Sequence, residues 1–245
     1  MSTHTRVFVR GALPVGSVLS LDEEAVRHVQ VLRLQPGMWL ELFNGEGGAY
    51  QAQVLQMGRQ SVDVQIASFA PDSTDGNRCT HLVMGMPANE RMDWLVEKAT
   101  ELGVSRITPL MTQRTVLKLA GDRALKRQQH WQGIAQSACA QSGRNRIPLI
   151  DAPMAWAAWW SQWQADTAVQ AFVLSLLSAA HPWRAFSLAV KGSVCLLSGP
   201  EGGLTDEEEA MAVAHGFTPV SLGPHTLRAE TAPLVVLSQL LCFAA

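Results

Sequence analysis

The chain has 245 residues, of which 47% are hydrophobic and 16% charged, and its formal net charge is -2. This composition is typical of a soluble globular protein of one or two domains. No apolar run reaches about eighteen residues, and "MSTHTRVFVRG" lacks the apolar core of a signal peptide. We therefore expect a cytoplasmic protein with neither a membrane span nor an export signal. The four cysteines lie far apart without a CxxC pair, which excludes a typical zinc site or disulfide framework, so no metal is expected.

The first 70 residues have a mostly β pattern. One helix is predicted at 22–34, where acidic residues occupy the first turn. Asn44 and Gly45 mark a hairpin, and no helix pattern follows them, so a phosphate-binding loop is disfavoured. Several short strands at this spacing predict a small β-barrel. The strand segments are "RVFVRG", "GSVLSL", "MWLELF", "AYQAQVLQ" and "SVDVQIA".

Residues 70–78, "APDSTDGNR", form the best candidate linker because they contain turn-forming residues and no apolar run. Beyond them, strand and helix patterns alternate, which predicts an α/β domain with a largely parallel sheet. The predicted strands are 81–86, 106–111, 147–151, 171–178, 194–199 and 218–223. The predicted helices are 91–103, 124–143, 154–164, 205–216 and 231–243.

Positive charge is concentrated in residues 73–151, which hold eleven Lys and Arg against seven Asp and Glu. Such clustering suits a phosphate-bearing partner, although charge alone is equally typical of solvated helix faces. The cluster comprises Arg114, Lys118, Arg123, Lys126, Arg127, Arg144 and Arg146. In the helix at 154–164, four tryptophans, Trp156, Trp159, Trp160 and Trp163, share one face. This spacing favours a packing face over a surface for base stacking.

The segment "LLSGPEGGLTDEEEAMAVAHG", residues 196–216, passes from a buried strand through a glycine-rich turn into a helix. Gly199, Gly202 and Gly203 remove side chains, so the backbone can approach a ligand closely. Thr205 and Glu208 fit a capping box at the start of the helix. Acidic residues at this helix start disfavour a pyrophosphate, and no dinucleotide or P-loop motif is present. The turn therefore predicts a site for a neutral or cationic ligand.

A second loop, "SLGPHTLRAETAPL" at residues 221–234, leaves another apolar strand and ends at the last helix. Together, Gly-Pro-Glu-Gly-Gly and Leu-Gly-Pro-x-x-Leu-Arg-x-Glu-Thr-Ala resemble the SPOUT superfamily of methyltransferases. The resemblance is to its 16S ribosomal RNA (uracil-N3)-methyltransferase family. It extends over nearly the whole chain through "HVQVLRLQPG", "EKATELGVSRITPL" and "SGRNRIP".

The resemblance implies a fold, a cofactor and a set of site residues. The implied fold is a PUA-like RNA-binding β-barrel at 1–72 and a SPOUT domain at 79–245 whose C-terminal part forms a trefoil knot. The implied cofactor is S-adenosylmethionine, contacted by Leu174, Ser175, Leu176, Leu197, Ser198, Gly199, Pro200, Glu201, Gly202, Leu222, Gly223, Leu227, Arg228, Thr231 and Ala232. The candidate RNA contacts are Arg6, Arg10, Arg27, Arg33, Arg114, Lys118, Arg144 and Arg146.

The implied reaction is methylation of N3 of a uridine in 16S ribosomal RNA, free or in the 30S subunit. Uracil N3 is a poor nucleophile until it loses its proton, so a proton acceptor or a cation that stabilises the anion is needed. Arg228 is the candidate cation and Glu201 the candidate acceptor, although Glu201 could equally hold backbone amides in place. Ala88, Asn89 and Ala140 depart from residues common in the family, which leaves catalytic roles at these positions open.

Two other functions fit the same sequence. One is a SPOUT methyltransferase that acts on another RNA or at ribose O2′. The other is a non-catalytic RNA-binding or ribosome-assembly protein. The last predicted helix lies in "TAPLVVLSQLLCFAA" and is apolar nearly all round. This pattern predicts a homodimer formed through this region.

Overall fold

The computed structural model describes residues 5–71, 79–186, 190 and 192–242. Its chain forms two compact units. Unit 1 comprises Met1–Asp75 and Gln136–Ile147, and unit 2 comprises Gly76–Ala135 and Pro148–Ala245. The predicted domains, 1–72 and 79–245, place residues 136–147 in the second domain, whereas their contacts group them with unit 1. Most of the predicted linker, 72–78, lies outside the described residues.

Unit 1 contains a five-stranded sheet in the order β1-β3-β4-β5-β2. Strands β1 and β3 are parallel, and the other neighbours are antiparallel. The predicted hairpin after β3 is confirmed, with Leu42 opposite Tyr50. A closed barrel would pair the first and last strands of this order, whereas β1 and β2 lie at its two ends in the described part of the chain. The elements are β1 (Arg6–Phe8), β2 (Val18–Ser20), α1 (Glu23–Val31), β3 (Trp39–Phe43), β4 (Ala49–Met57) and β5 (Val62–Ala70).

Helix α1 covers the core of unit 1. Asp22 caps the helix, because its side chain accepts a hydrogen bond from the Ala25 N–H at 2.9 Å. Ala25, Val26 and Val29 are buried. The buried strand residues alternate along β3, β4 and β5, as expected for strands with one face against a core. This cluster includes Leu40, Leu42, Ala52, Val54, Val62, Val64 and Ile66.

Unit 2 is an α/β structure, as predicted. Its eight-stranded sheet has the order β11-β13-β10-β12-β6-β7-β8, with β9 paired to β7, and all its pairs are parallel. The strands are β6 (Thr80–Gly85), β7 (Arg106–Met111), β8 (Leu149–Ile150), β9 (Met154–Ala155), β10 (Val169–Leu174), β11 (His181–Pro182), β12 (Ser193–Ser198) and β13 (Thr218–Ser221). The helices are α2 (Asn89–Glu101), α3 (Gly121–Ser142), whose last residues belong to unit 1, α4 (Trp156–Gln162), α5 (Asp206–Ala214) and α6 (Thr231–Cys242).

The tryptophan stripe of α4 is a packing face. Trp159 and Trp160 are 5% and 8% exposed, and both rings contact Phe217. They belong to a core cluster with Val83, Leu110 and Leu197 from the sheet. The prediction that these rings pack in the core is therefore confirmed.

Several predicted elements are shorter in the structure. The strand predicted at 171–178 ends at Leu174, because Leu176 and Leu177 are exposed and belong to a loop. The strand predicted at 147–151 contracts to Leu149–Ile150. Two-residue strands such as His181–Pro182 have no periodic signal in the sequence. The predicted trefoil knot stays a prediction, and Phe243 of the last predicted helix lies outside the described residues.

Candidate active site

A cavity of unit 2 lies where three neighbouring strands, β10, β12 and β13, end and their loops begin. In parallel sheets, ligands bind at this carboxyl edge. We call it the loop cavity. Its volume is about 300 Å³, at the lower end of small-molecule sites. It is lined by residues from 174–177, from 198–204 and from 220–232, together with Arg114, Asp206 and Glu209.

The glycine loop, residues 198–204, is packed tightly on itself and on β6. A Cβ atom on Gly199 would lie 2.6 Å from the Leu204 nitrogen and 2.7 Å from the Gly203 carbonyl carbon. A Cβ on Gly85, the last residue of β6, would lie 2.7 Å from the Pro200 nitrogen. Gly203 has a φ of +71°, which favours glycine. At Gly199, therefore, the glycine is required by the fold of the loop itself.

Arg114 holds the glycine loop through two hydrogen bonds to its backbone. Its Nη1 donates hydrogen bonds to the Gly202 carbonyl at 2.7 Å and to the Leu204 carbonyl at 3.0 Å. A Cβ on Gly202 would lie 3.2 Å from Cβ and Cδ of the arginine. The sequence predicts an RNA contact for Arg114, whereas the structure places it in the lining of the loop cavity.

Glu201 connects the glycine loop to the start of α2. Its Oε1 accepts a hydrogen bond from the Ala88 N–H at 2.8 Å and lies 3.2 Å from Nη1 of Arg91. Ala88 is the N-cap of α2 and offers no side-chain cap of its own. Arg91 also faces Glu230, with 4.0 Å between Nε and Oε1. This geometry matches the second role predicted for Glu201, which is to hold a backbone amide.

Helix α5 begins at the end of the glycine loop with the predicted capping box. The Thr205 hydroxyl accepts from the Glu208 N–H at 3.2 Å, and Glu208 Oε2 accepts from the Thr205 N–H at 3.0 Å. The other oxygen of Glu208 accepts from the Gln113 N–H at 2.8 Å. Both carboxylate oxygens of Glu208 are therefore satisfied, and the prediction of this cap is confirmed.

Glu209, the next residue, is different. Its side chain is 9% exposed, and it lines the loop cavity. Its Oε1 is buried, and among the described residues no donor contacts it. The sequence alone groups Glu209 with the other acids of a solvated helix start, so its burial gives no signal there.

Most of the predicted cofactor residues meet in the loop cavity. Twelve of the fifteen line it: Leu174, Ser175, Leu176, Ser198, Gly199, Pro200, Glu201, Gly202, Leu222, Gly223, Leu227 and Ala232. Leu197 is instead fully buried in the core below the loop. Arg228 is exposed, and its carbonyl accepts from the Thr231 N–H at the start of α6. The lining residues that the sequence missed include Leu204, Asp206, Glu209, His225 and Thr226.

The predicted RNA contacts of unit 1 divide into buried and exposed groups. Arg6 pairs with Glu41 and donates to the Asn145 side chain at 2.7 Å, and Arg144 is only 8% exposed. These two have little surface to offer a phosphate. The exposed candidates are Arg10, Arg27, Arg33 and Arg146, and in unit 2 Lys118 is exposed. A second cavity of about 710 Å³, lined by Arg6, Arg27, His28, Ala140 and Gln141 among others, lies within unit 1.

A polar relay lies at the opposite end of the unit 2 sheet, at the start of β6. His81 Nε2 is 2.7 Å from the Thr108 hydroxyl, which donates to Asp151. Because that hydroxyl proton goes to the carboxylate, the neutral imidazole donates from Nε2. The pKa of His81 is lowered to about 4, chiefly by burial and also by the Arg106 guanidinium, while Asp151 opposes the shift. The relay is therefore a structural group remote from the loop cavity.

The described residues provide neither a metal site nor a membrane-spanning helix. No set of three or more His, Cys, Asp or Glu side chains in the described ranges is placed to hold a metal ion. Within the same ranges, each helix is too short or too polar to cross a membrane.

Comparison with known proteins identifies the family. Residues 75–241 match the family model described as "RNA methyltransferase domain", and residues 21–67 match "RNA methyltransferase PUA domain". The chain belongs to this RNA methyltransferase family. Ribosomal RNA small subunit methyltransferase E of Bacillus subtilis is 31% identical over 227 residues, which are 89% of this chain and 88% of the relative.

Two solved structures are similar over nearly the whole chain. One is a protein from Legionella pneumophila in complex with S-adenosylmethionine, with a TM-score of 0.89 and 34% identity over 98% of this chain and 97% of that one. The other is ribosomal RNA small subunit methyltransferase E from Neisseria gonorrhoeae, also bound to S-adenosylmethionine. Its TM-score is 0.88, with 30% identity over 96% of this chain and 95% of that one. The predicted family and α/β fold class are confirmed, and with them the prediction of an RNA methyltransferase.

Proposed function

We propose that this chain transfers a methyl group from S-adenosylmethionine to N3 of a uridine in 16S ribosomal RNA. The observation that carries the proposal is the loop cavity, because both loops of the motif pair meet there at the carboxyl edge of a parallel sheet. Relatives named ribosomal RNA small subunit methyltransferase E support ribosomal RNA of the small subunit as the substrate class.

The residues of the loop cavity fit this cofactor. S-adenosylmethionine supplies an electrophilic methyl group on a positively charged sulfur. The lining includes three carboxylate side chains, Glu201, Asp206 and Glu209, and it includes Arg114 as a guanidinium. The buried Glu209 oxygen without a donor gives a cationic ligand a partner inside the cavity. The tightly folded glycine loop keeps its backbone groups in fixed positions, which supports preorganised binding.

The acceptor base needs help from the protein because uracil N3 carries a proton. We assign to Arg228 the stabilisation of negative charge that develops on the base, since it is exposed beside Leu227 and Ala229 of the lining. Glu201 Oε1 already accepts the Ala88 amide and pairs with Arg91. We therefore assign to Glu201 chiefly the positioning of the loop against α2, with proton acceptance as its second proposed role.

RNA binding is proposed to rest on exposed arginines and lysines of both units. Contacts to phosphates dominate the affinity for nucleic acid and position the substrate. The match of residues 21–67 to a PUA domain supports a role for unit 1 in this binding. The proposed partner is 16S ribosomal RNA, either free or within the 30S subunit, and the proposed location is the cytoplasm. The knot and a homodimer formed through α6 belong to the same proposal.

The test is analysis of ribosomal RNA nucleosides by mass spectrometry from cells with and without this protein. N3-methyluridine should disappear in its absence. Primer extension should stop at one nucleotide of 16S RNA, because a methyl at N3 blocks the pairing edge of uracil. A methylated ribose would instead resist alkaline cleavage and leave that edge intact. If purified protein bound no S-adenosylmethionine, a non-catalytic function would replace this proposal.

The proposed role of Arg228 is tested with a matched arginine variant. Arg228→Ala should lower kcat on the order of 100-fold while the RNA Kd changes little, because the lost interaction belongs to the transition state. Arg10→Ala removes an exposed arginine of unit 1 and should weaken RNA binding with little effect on kcat. Equal turnover of Arg228→Ala and the parent protein would remove Arg228 from the mechanism.

A further inference from the structure

Glu209 lies one turn into α5, beyond the capping box, and it lines the loop cavity. It is 9% exposed, and its Oε1 has no hydrogen-bond donor among the described residues. Its neighbour Glu208 is equally buried, yet both of its oxygens accept backbone hydrogen bonds. Capping therefore explains the burial of Glu208 and does not explain the burial of Glu209.

A buried carboxylate oxygen without a partner, such as Oε1 of Glu209, destabilises a fold because it loses hydration without gaining a hydrogen bond. The start of α5 offsets part of that cost, since a helix N-terminus favours negative charge. Arg114 also lines the loop cavity and carries a positive charge, but its Nη1 donates to the Gly202 and Leu204 carbonyls. In the described part of the chain, no ion pair joins Arg114 to Glu209.

The charges around the loop cavity leave an excess of carboxylate. The charged or titratable side chains in its lining are Arg114, Glu201, Asp206, Glu209 and His225. Glu201 is paired with Arg91, and Asp206 is exposed to solvent. Glu209 is thus the buried carboxylate of this lining for which the described residues provide no cationic partner. A ligand that brings a cationic group would provide one.

We propose that Glu209 is the cation-recognition residue of the loop cavity and binds a positively charged group of the cofactor. This inference rests on the proposed function, since S-adenosylmethionine carries two such groups, the sulfonium and the α-ammonium of its methionyl part. A carboxylate that meets either group gains a charge-assisted contact. The contact gives the buried Oε1 of Glu209 the partner that the described residues do not provide.

Isothermal titration with three ligands separates the two cationic groups. S-adenosylmethionine has both groups, S-adenosylhomocysteine has only the ammonium, and 5′-methylthioadenosine has neither. The variants are Glu209→Gln, which keeps the shape and removes the charge, and Glu207→Gln as a control. Glu207 is an exposed acid of the same helix start outside the cavity lining.

We expect Glu209→Gln to weaken S-adenosylmethionine binding by about 10- to 100-fold and to leave 5′-methylthioadenosine unchanged. If S-adenosylhomocysteine weakens equally, the partner is the ammonium, and if it binds as to the parent protein, the partner is the sulfonium. Glu207→Gln should bind all three ligands like the parent. Equal weakening of all three ligands in Glu209→Gln would overturn the inference, because the residue would then serve the adenosine or the fold.

A second measurement needs no cofactor. Glu209→Leu removes the buried unpaired oxygen, so it should raise the Tm of the ligand-free protein while reducing the Tm increase that S-adenosylmethionine gives. A fall in ligand-free Tm together with parent-like binding would also overturn the inference. Binding of S-adenosylmethionine by the parent but equally by Glu209→Gln would refute only this inference. No binding by the parent would refute the proposed function as well.

Discussion

The buried polar side chains of unit 2 differ in whether the chain satisfies them. Thr205 and Glu208 complete each other's hydrogen bonds at the start of α5, and His81 is satisfied through Thr108. Glu209 and Glu230 each keep one buried oxygen without a donor among the described residues. The satisfied groups support the fold, whereas Glu209, which lines the loop cavity, is proposed to bind a ligand at a cost in stability.

The His81 relay predicts a pH dependence of stability. The folded pKa of His81, about 4, is below its unfolded value of about 6.5, so the unfolded chain binds a proton that the folded chain excludes. The stabilisation is therefore complete above about pH 6.5 and is lost as the pH falls from 6.5 towards 4. By pH 5 the expected loss is about 2 kcal/mol. Urea unfolding at pH 7.5 and pH 5 measures it.

His81→Gln provides the comparison for this prediction. Glutamine does not titrate, and its amide can still donate to the Thr108 hydroxyl. Other titrating groups contribute equally to both proteins. The fall in unfolding free energy between the two pH values should therefore be smaller in the variant by about 2 kcal/mol. An identical fall in both proteins would show that His81 does not control this window.

At the scale of elements, the glycine loop was the part of the site that the sequence predicted best. A strand pattern, three glycines and a capping box follow one another directly, so local pattern was sufficient. The contacts of Arg114 and Arg91 could not be predicted in this way, because each joins residues that are far apart in sequence. Arg114 contacts Gly202, 88 positions away, and Arg91 contacts Glu201, 110 positions away. The short strands β9 and β11 were not predicted, because two residues are too few to show a period.

The glycines of this loop should respond differently to a methyl group. In Gly199→Ala the new Cβ meets the backbone of Leu204 and Gly203, which cannot move without opening the loop. We expect a loss of about 1–3 kcal/mol in stability and at least tenfold weaker S-adenosylmethionine binding. In Gly202→Ala the Cβ would lie 3.2 Å from Cβ and Cδ of Arg114, a milder contact that a shift of a few tenths of an ångström relieves, so binding should change less than about threefold.

Thermal unfolding and isothermal titration on both variants decide this prediction. Circular dichroism must show the same secondary structure content as the parent, because a global loss of fold would not report on the loop. If Gly199→Ala binds S-adenosylmethionine like the parent, the loop tolerates the methyl group and its tight packing is not required for the site.

For the whole molecule, the sequence predicted two parts with different strand patterns, and contacts in the structure refine their membership. Residues 136–147 group with unit 1 because Arg6 donates to Arg144 and Asn145, and because Ile147 donates to the Gly45 carbonyl. These partners are about a hundred or more residues away. A linear reading of the composition places the same residues in the second domain, since long-range pairing leaves no local pattern.

The proposed homodimer depends on what the chain leaves uncovered on α6. Unit 2 itself buries Leu234, Val236, Leu237 and Leu240, so the apolar sequence of the helix is mostly explained within one chain. Leu241 of α6 remains 47% exposed, and Trp94 on the neighbouring helix α2 remains 44% exposed. We expect a second copy to cover these two side chains, because exposed apolar surface on packed helices favours association.

Sedimentation of Leu241→Asp tests that expectation. A carboxylate placed in an apolar interface without a partner costs about 3 kcal/mol, which weakens association by roughly 100-fold. The parent should sediment as a dimer at micromolar concentration, and Leu241→Asp should shift towards a monomer while its circular dichroism shows the same secondary structure as the parent. Leu125→Asp, a change at an exposed leucine of α3, is the control and should remain dimeric. A parent protein that sediments as a stable monomer would exclude the dimer, and a dimeric Leu241→Asp would place the interface elsewhere.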